Sequence, residues 1–357
     1  MENEVTIQQI LQQAVSHQVS DTHIKAGAPP IFRINRKLHE ISGFGIITDE
    51  DTRRFLTSIT SEEQQNIFYR ERELDFSYDP PGIGRFRVNA YQQLGTTCMV
   101  FRWIRTEIPT LEKLGLPDIC QDLALKRDGM VILTGPTGCG KSTTLAAMLG
   151  YMNENIKRNI ITIEDPVEFL HKDKKCTFSQ REVGVDTHSF ANALKHVLRQ
   201  DPDVILIGEM RDPETMSIAL TAAETGHLIL TTLHTPSASE AIDRFVDAFP
   251  PYQHHQVRLQ LSTTLEAILY QSLIPRADGE GVIPAVEVLI ATPAIRNLIR
   301  EGKTYQMLNF MHTGQDVGMR TLDQAITELH QRGLISHQEA YSRLQGRDSI
   351  DNQVTNR

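Results

Sequence analysis

The run Gly135-Pro136-Thr137-Gly138-Cys139-Gly140-Lys141-Ser142 constrains this chain more than any other stretch. It reads G-x-x-x-x-G-K-S and lies between an apolar run, 130–134, and a helix-compatible run, 143–153. A strand that turns through such a loop into a helix gathers backbone N–H groups and a helix N-terminus at one spot, which favours an anion. The implied ligand is a nucleoside triphosphate. Lys141 contacts its β- and γ-phosphates, Ser142 ligates Mg²⁺, and the rest of the loop through Thr143 cradles the phosphates.

Three further apolar runs, 160–163, 204–207 and 228–233, have the unbroken character of buried parallel strands. Between them, Phe190, Leu194, Val197 and Leu198 mark one face of a helix. Asp212-Pro213-Glu214 opens another with an N-cap and a proline at its first position, and Gly226 follows its end. Strands separated by helices predict an α/β fold with a parallel sheet covered on both faces. Upstream, residues 1–105 read as a smaller α+β domain. Ile7, Ile10, Leu11 and Ala14 share one helical face, strands are expected at 22–25 and 30–34, and 85–91 returns as 98–104 after a turn near Gly95. Residues 106–117, with two prolines and one glycine, read as a linker. The second domain is expected over 118–345, with a helical C-terminal part that includes 294–301, a helix carrying Leu322, Ile326 and Leu329, and a restart at the capping box Ser336-His337-Gln338-Glu339. The polar tail, 346–357, is expected to be disordered.

Ligands of parallel sheets bind outside the carboxyl ends of the strands, so the polar residues there are the candidates for chemistry. The second strand ends in Glu164-Asp165-Pro166, acids suited to holding Mg²⁺ directly or through water, or to orienting a water. The third ends in Gly208-Glu209, where a glutamate can polarise the lytic water as general base. The fourth is bracketed by His227 and His234. At about 3.3 Å per residue its ends lie roughly 23 Å apart, so only one of them, His234, reaches the phosphate side. Charge on a departing phosphate also calls for arginine from outside the loop. Arg85 and Arg87 share a strand face, whereas Arg102 and Arg105 differ in parity and point to opposite faces.

Hydrophobic content of 40% supplies a core, and a net charge of −9 argues against a nucleic-acid partner. Apolar runs fall far short of the ~20 residues that span a bilayer, and the acidic amphipathic N-terminus is unlike a secretory signal, so a cytosolic chain is expected. Cys98, Cys120, Cys139 and Cys176 form no C-x-x-C pair, which excludes a zinc ribbon. Cys139 reads as a small tolerated loop residue, with a regulatory thiol as the minor alternative.

Together these runs resemble the secretion ATPases of type IV pili and type II secretion, and among them the pilus retraction (twitching motility) ATPases. The resemblance runs from Ile10-Leu11 to the last helix. It is carried by Ser20-Asp21-Thr22-His23-Ile24, Gly84-Arg85-Phe86-Arg87-Val88-Asn89, the phosphate loop, the acidic box 162–169, the run 199–212 and the histidine box 225–235. Thr22, Cys98 and Trp103 depart from the family's usual residues. The resemblance implies a PAS-like N-terminal domain, a RecA-like P-loop ATPase core, and a homohexameric ring with ATP and Mg²⁺ held between the domains. Arginines of the N-terminal domain, here Arg87 and Arg102, would reach the nucleotide. It further implies an inner-membrane pilus platform protein as partner and a cytoplasmic location against the inner membrane at the pilus base, while a second retraction ATPase sharing the work stays open. The family's extension motors carry a tetracysteine zinc motif and a longer N-terminal extension, which this chain is expected to lack. Its run Ala294-Ile295-Arg296-Asn297-Leu298-Ile299-Arg300-Glu301 resembles a C-terminal motif tied to retraction. An accessory retraction ATPase, a motor of a related secretion machine, and a nucleotide-gated scaffold with little hydrolysis stay open as alternatives.

Overall fold

The computed structural model describes residues 5–34, 37–104 and 107–344, and the chain divides into two units, Met1–Glu107 and Ile108–Arg357. In the first, α1 (Ile7–Ser16) begins at a capping box: the Thr6 hydroxyl accepts from the Gln9 N–H, and the Gln9 side chain accepts from the Thr6 N–H. Its buried face is Ile7, Ile10, Leu11 and Ala14, as the spacing predicts. Then come β1 (Asp21–Ile24), β2 (Ile31–Ile34), β3 (Lys37–Glu40), α2 (Asp49–Ile59), α3 (Glu62–Glu71), β4 (Glu73–Tyr78), β5 (Arg85–Gln93) and β6 (Thr96–Ile104). The strands form one antiparallel sheet in the order β3-β2-β1-β6-β5-β4. Alternation along β5 buries Phe86, Val88 and Ala90 against the helices and turns Arg87 outward.

The second unit contains α4 (Ile119–Ala124), β7 (Gly129–Thr134), α5 (Lys141–Asn155), β8 (Asn159–Glu164), β9 (Thr177–Glu182), α6 (Phe190–Val197), β10 (Val204–Ile207), α7 (Pro213–Glu224), β11 (Leu228–Leu233) and α8 (Ala238–Asp247). It continues with α9 (His254–Thr264), β12 (Leu265–Pro275), β13 (Val282–Ile290), α10 (Pro293–Glu301), α11 (Met307–Thr313), α12 (Leu322–Gln331) and α13 (His337–Arg343). The seven-stranded sheet runs β13-β12-β7-β11-β10-β8-β9, all parallel except β13. Successive side chains leave opposite faces: Met130, Ile132, Ile205 and Ile207 enter one core with α6 to α10, while Val131, Leu133, Val204 and Leu206 enter another with α4 and α5. Burial on both faces is why these strands carry no polar alternation.

The four expected parallel strands are present. Three features differ from the sequence reading. Residues 108–117, read within a linker, belong to the second unit and bury Leu111 and Leu116 in its core, so prolines and a glycine here shape a packed turn. Ahead of the C-terminal helices, β12 and β13 extend the sheet, and α12 and α13 pack Ile326, Leu329 and Ala340 against their Ile274 and Ile283. At Ser336 only half of the expected capping box forms. Its hydroxyl accepts from the Glu339 N–H, while the Glu339 carboxylate pairs with Arg343. Arg105 and the tail 346–357 lie outside the described residues. No helix among the described residues is long and apolar enough to cross a membrane.

Candidate active site

The carboxyl ends of β7, β11, β10 and β8 adjoin in that order, with Thr134 opposite Leu233, and Ile207 beside both Thr231 and Ile163. Adjacent strands lie about 4.8 Å apart, so the loops leaving these ends share one rim. The Thr134 and Thr235 hydroxyls bond at 2.7 Å, and Thr232 donates to the Gly208 carbonyl at 2.6 Å. These two bonds tie the histidine box to the phosphate loop on one side and to the Glu209 turn on the other.

The phosphate loop takes left-handed φ at Gly135, Gly138 and Gly140 before α5 begins at Lys141. Such a curl turns consecutive N–H groups toward one concave side and suits a phosphate. Lys141 is buried, and its Nζ donates to the carbonyls of Gly135 (2.8 Å) and Pro136 (3.1 Å). Burial lowers its pKa, with Cys139 and Glu209 opposing that shift. Ser142 stands half-buried in the first turn of α5. Cys139 is buried and burial raises its thiol pKa, which favours the bland reading of that residue over a reactive thiol.

Glu209 carries two partners: Arg211 Nη2 at 2.8 Å and His234 Nε2 at 3.5 Å. The expected base and the expected phosphate sensor therefore meet. His227 sits at the other end of β11, where its Nδ1 lies 2.9 Å from the Ala222 carbonyl and closes the end of α7. Glu164 turns inward. It accepts from the Thr162 hydroxyl at 2.6 Å, and burial raises its pKa against that bond and a longer one from the Glu168 N–H. Asp165, joined to Pro166 by a cis peptide, is exposed at the same strand end. Among the described residues no group of three or more His, Cys, Asp or Glu assembles a metal cage. Ser142 and Asp165 offer oxygen donors of the kind that Mg²⁺ takes beside substrate phosphates.

In the N-terminal unit, Arg87 on β5 lies directly opposite Arg102 on β6. Arg102 donates to Asp21 at 2.9 Å, and Arg33 approaches the same carboxylate at 3.7 Å, whereas Arg87 reaches Asp75 only at 4.0 Å. Each of the two facing guanidiniums is thus offset by an acid of its own unit.

Two residues in contact with the candidate site escape a reading of local motifs. Gln271 of β12 holds the phosphate loop, and Arg211 pairs with the expected base. Arg211 stands two residues beyond Glu209, and an arginine so near a strand-end acid was a usable signal. For Gln271 the apolar run 282–290 offered the only hint, because it suggests a hairpin whose first strand passes the loop.

The family described as Type II/IV secretion system protein matches residues 3–283. A twitching motility protein of Neisseria gonorrhoeae is 46% identical over 321 residues, covering 90% of this chain and 86% of that protein. The type IV pilus retraction ATPase PilT of Pseudomonas aeruginosa is 45% identical over 334 residues, covering 94% and 96%. Among solved structures, the pilus retraction motor PilT with bound ADP superposes with a TM-score of 0.91 at 43% identity, covering 98% of this chain and all of that one. With the phosphate loop, the strand-end acids and the histidine box in one rim, the chain belongs to the type II/IV secretion system protein family.

Proposed function

We propose that this chain is a Mg²⁺-dependent ATPase subunit that works as a homohexamer and powers pilus retraction in twitching motility. The observation that carries the reading is the meeting of Glu209 with His234 on the rim that presents the phosphate loop, in a chain alike over 94% of its length to a retraction ATPase. Lys141 leaves the Gly135 and Pro136 carbonyls when a nucleotide offers its phosphates, so part of the binding energy replaces bonds already made. Ser142 and Asp165 would hold the metal, Asp165 directly or through water. When bound, Mg²⁺ neutralises charge on the phosphate oxygens. Glu209 takes the proton of the lytic water, and release of Arg211 frees one of its oxygens to do so. Glu164, fixed by Thr162, shapes the water side of the site. His234 senses the terminal phosphate. Arg87 and Arg102 supply positive charge to the departing phosphate. The work is delivered to a platform protein at the inner-membrane pilus base.

Deleting the gene and counting surface pili alongside twitching tests the direction of the motor. More pili with lost motility is the expected result. Fewer pili would assign the chain to extension, and an unchanged count would assign it to an accessory role or another machine. Steady-state ATPase assays test the chemistry: a wild-type rate that Glu209→Gln leaves unchanged would favour a nucleotide-gated scaffold.

A further inference from the structure

Gln271 lies on β12, far along the chain from the phosphate loop, yet it is almost fully buried against that loop. Its side-chain Nε2 donates to the Cys139 carbonyl at 2.6 Å, and its Oε1 accepts from the Thr144 hydroxyl at 2.8 Å. One amide thus spans the loop and the first turn of α5, filling one acceptor and one donor that burial would otherwise leave unpaired. The glycines report the same contact. A Cβ on Gly135 would collide with the Gln271 carbonyl oxygen, and one on Gly140 would come within 2.9 Å of its Nε2. Both outer glycines of the motif therefore face a single residue. Lys141, whose amine lies on the Gly135 carbonyl, completes the ring of contacts around the curl.

We infer that Gln271 is a positioning residue for phosphate binding: its amide sets the curl of the loop, and Thr144 locks the start of α5 to the same amide. The inference rests on the nucleotide reading above. Without Gln271 the Cys139 carbonyl loses its only side-chain donor in the structure described, and the loop is free to turn that oxygen toward the phosphate side, where it repels an anion. Gln271 touches the loop and not the Glu209 side of the rim. Its loss should therefore weaken nucleotide binding more than it slows the chemical step.

The test uses the full chain with Gln271→Met, which conserves volume and removes both bonds, and with Thr144→Val and Thr144→Ser, which break and keep the second bond. The readouts are the Kd of a fluorescent ADP analogue, kcat and KM for ATP, and the unfolding midpoint without nucleotide. For Gln271→Met the Kd and KM should rise about 10- to 100-fold, with kcat falling less, the range expected when one buried group is left unpaired. Thr144→Val should show a smaller rise of the same kind, and Thr144→Ser should restore the wild-type values. A lowered unfolding midpoint with unchanged Kd and KM would overturn the inference, leaving Gln271 as ordinary core. So would a Thr144→Ser variant as weak as Thr144→Val. Should Gln271→Met fail to fold, the Thr144 pair decides the question. A wild type that neither binds the ADP analogue nor hydrolyses ATP would instead defeat the nucleotide reading itself.

Discussion

The two ends of the seven-stranded sheet use similar residue types for opposite purposes. At the amino end, Glu266, Asn159 and His227 are each tied to groups of their own unit. Glu266 bonds Arg296 and Lys126, both at 2.7 Å, and Arg296 also donates to the carbonyls of Ser262 and Thr263 at the end of α9. Asn159 is held by Asp203, Gln200 and Asp201, and His227 by Ala222 and Thr225. At the carboxyl end, Arg211 and His234 are exposed and meet Glu209, and Lys141 rests on carbonyls of its own loop. Groups satisfied within the fold build it, whereas groups with replaceable partners remain available to a ligand. Position along a strand, more than residue type, separates the two roles.

The largest effect should come from the carboxyl end. Glu209→Gln is expected to bind ATP while kcat falls about 10²- to 10⁴-fold, the usual share of a general base. Near-normal turnover would remove Glu209 from that role. Arg296→Ala attacks the amino end instead, stripping Glu266 and two carbonyls of a donor. Urea unfolding should show a loss of about 1–3 kcal/mol with kcat per folded molecule preserved. A fall in kcat with stability intact would mean that the two ends are coupled, and would give the run 294–301 a part in the chemistry.

The two histidines sharpen the contrast because they bracket a single strand. His234→Ala should lower turnover about 10-fold and barely move the melting temperature, whereas His227→Ala should cost about 1 kcal/mol of stability and leave turnover alone. Equal effects on both readouts would erase the distinction. The smallest expected signal is a slope. Burial raises the pKa of Glu164 above its unfolded value, so the stability this group contributes is fully present below the ordinary carboxyl range and is lost as pH rises through the folded value. Thermal melts from about pH 5 to about pH 8 should therefore decline more steeply for the wild type than for Glu164→Gln.

Where the physics is local, the sequence alone was decisive. The phosphate loop, its flanking strand and helix, and the acids at strand ends are readable because a parallel strand buried on both faces needs an unbroken apolar run. The polar residue that ends such a run must then lie on a rim. The antiparallel hairpin of β5 and β6 was equally legible from its alternation, which put Arg85 and Arg87 on one face, and the structure turns Arg87 outward. Tertiary structure decided the rest. Leu111 and Leu116 were hidden by the prolines and glycine around them, although they pack into the second core. The inward turn of Glu164 depends on Thr162 and on burial by neighbouring elements, and no spacing in 162–168 encodes it. Gln271 reads as one more polar residue in 265–275 until β12 is laid parallel to β7. Only that pairing, between segments remote in the chain, carries its amide to the phosphate loop, because a hydrogen bond depends on distance in space and leaves no period in the sequence.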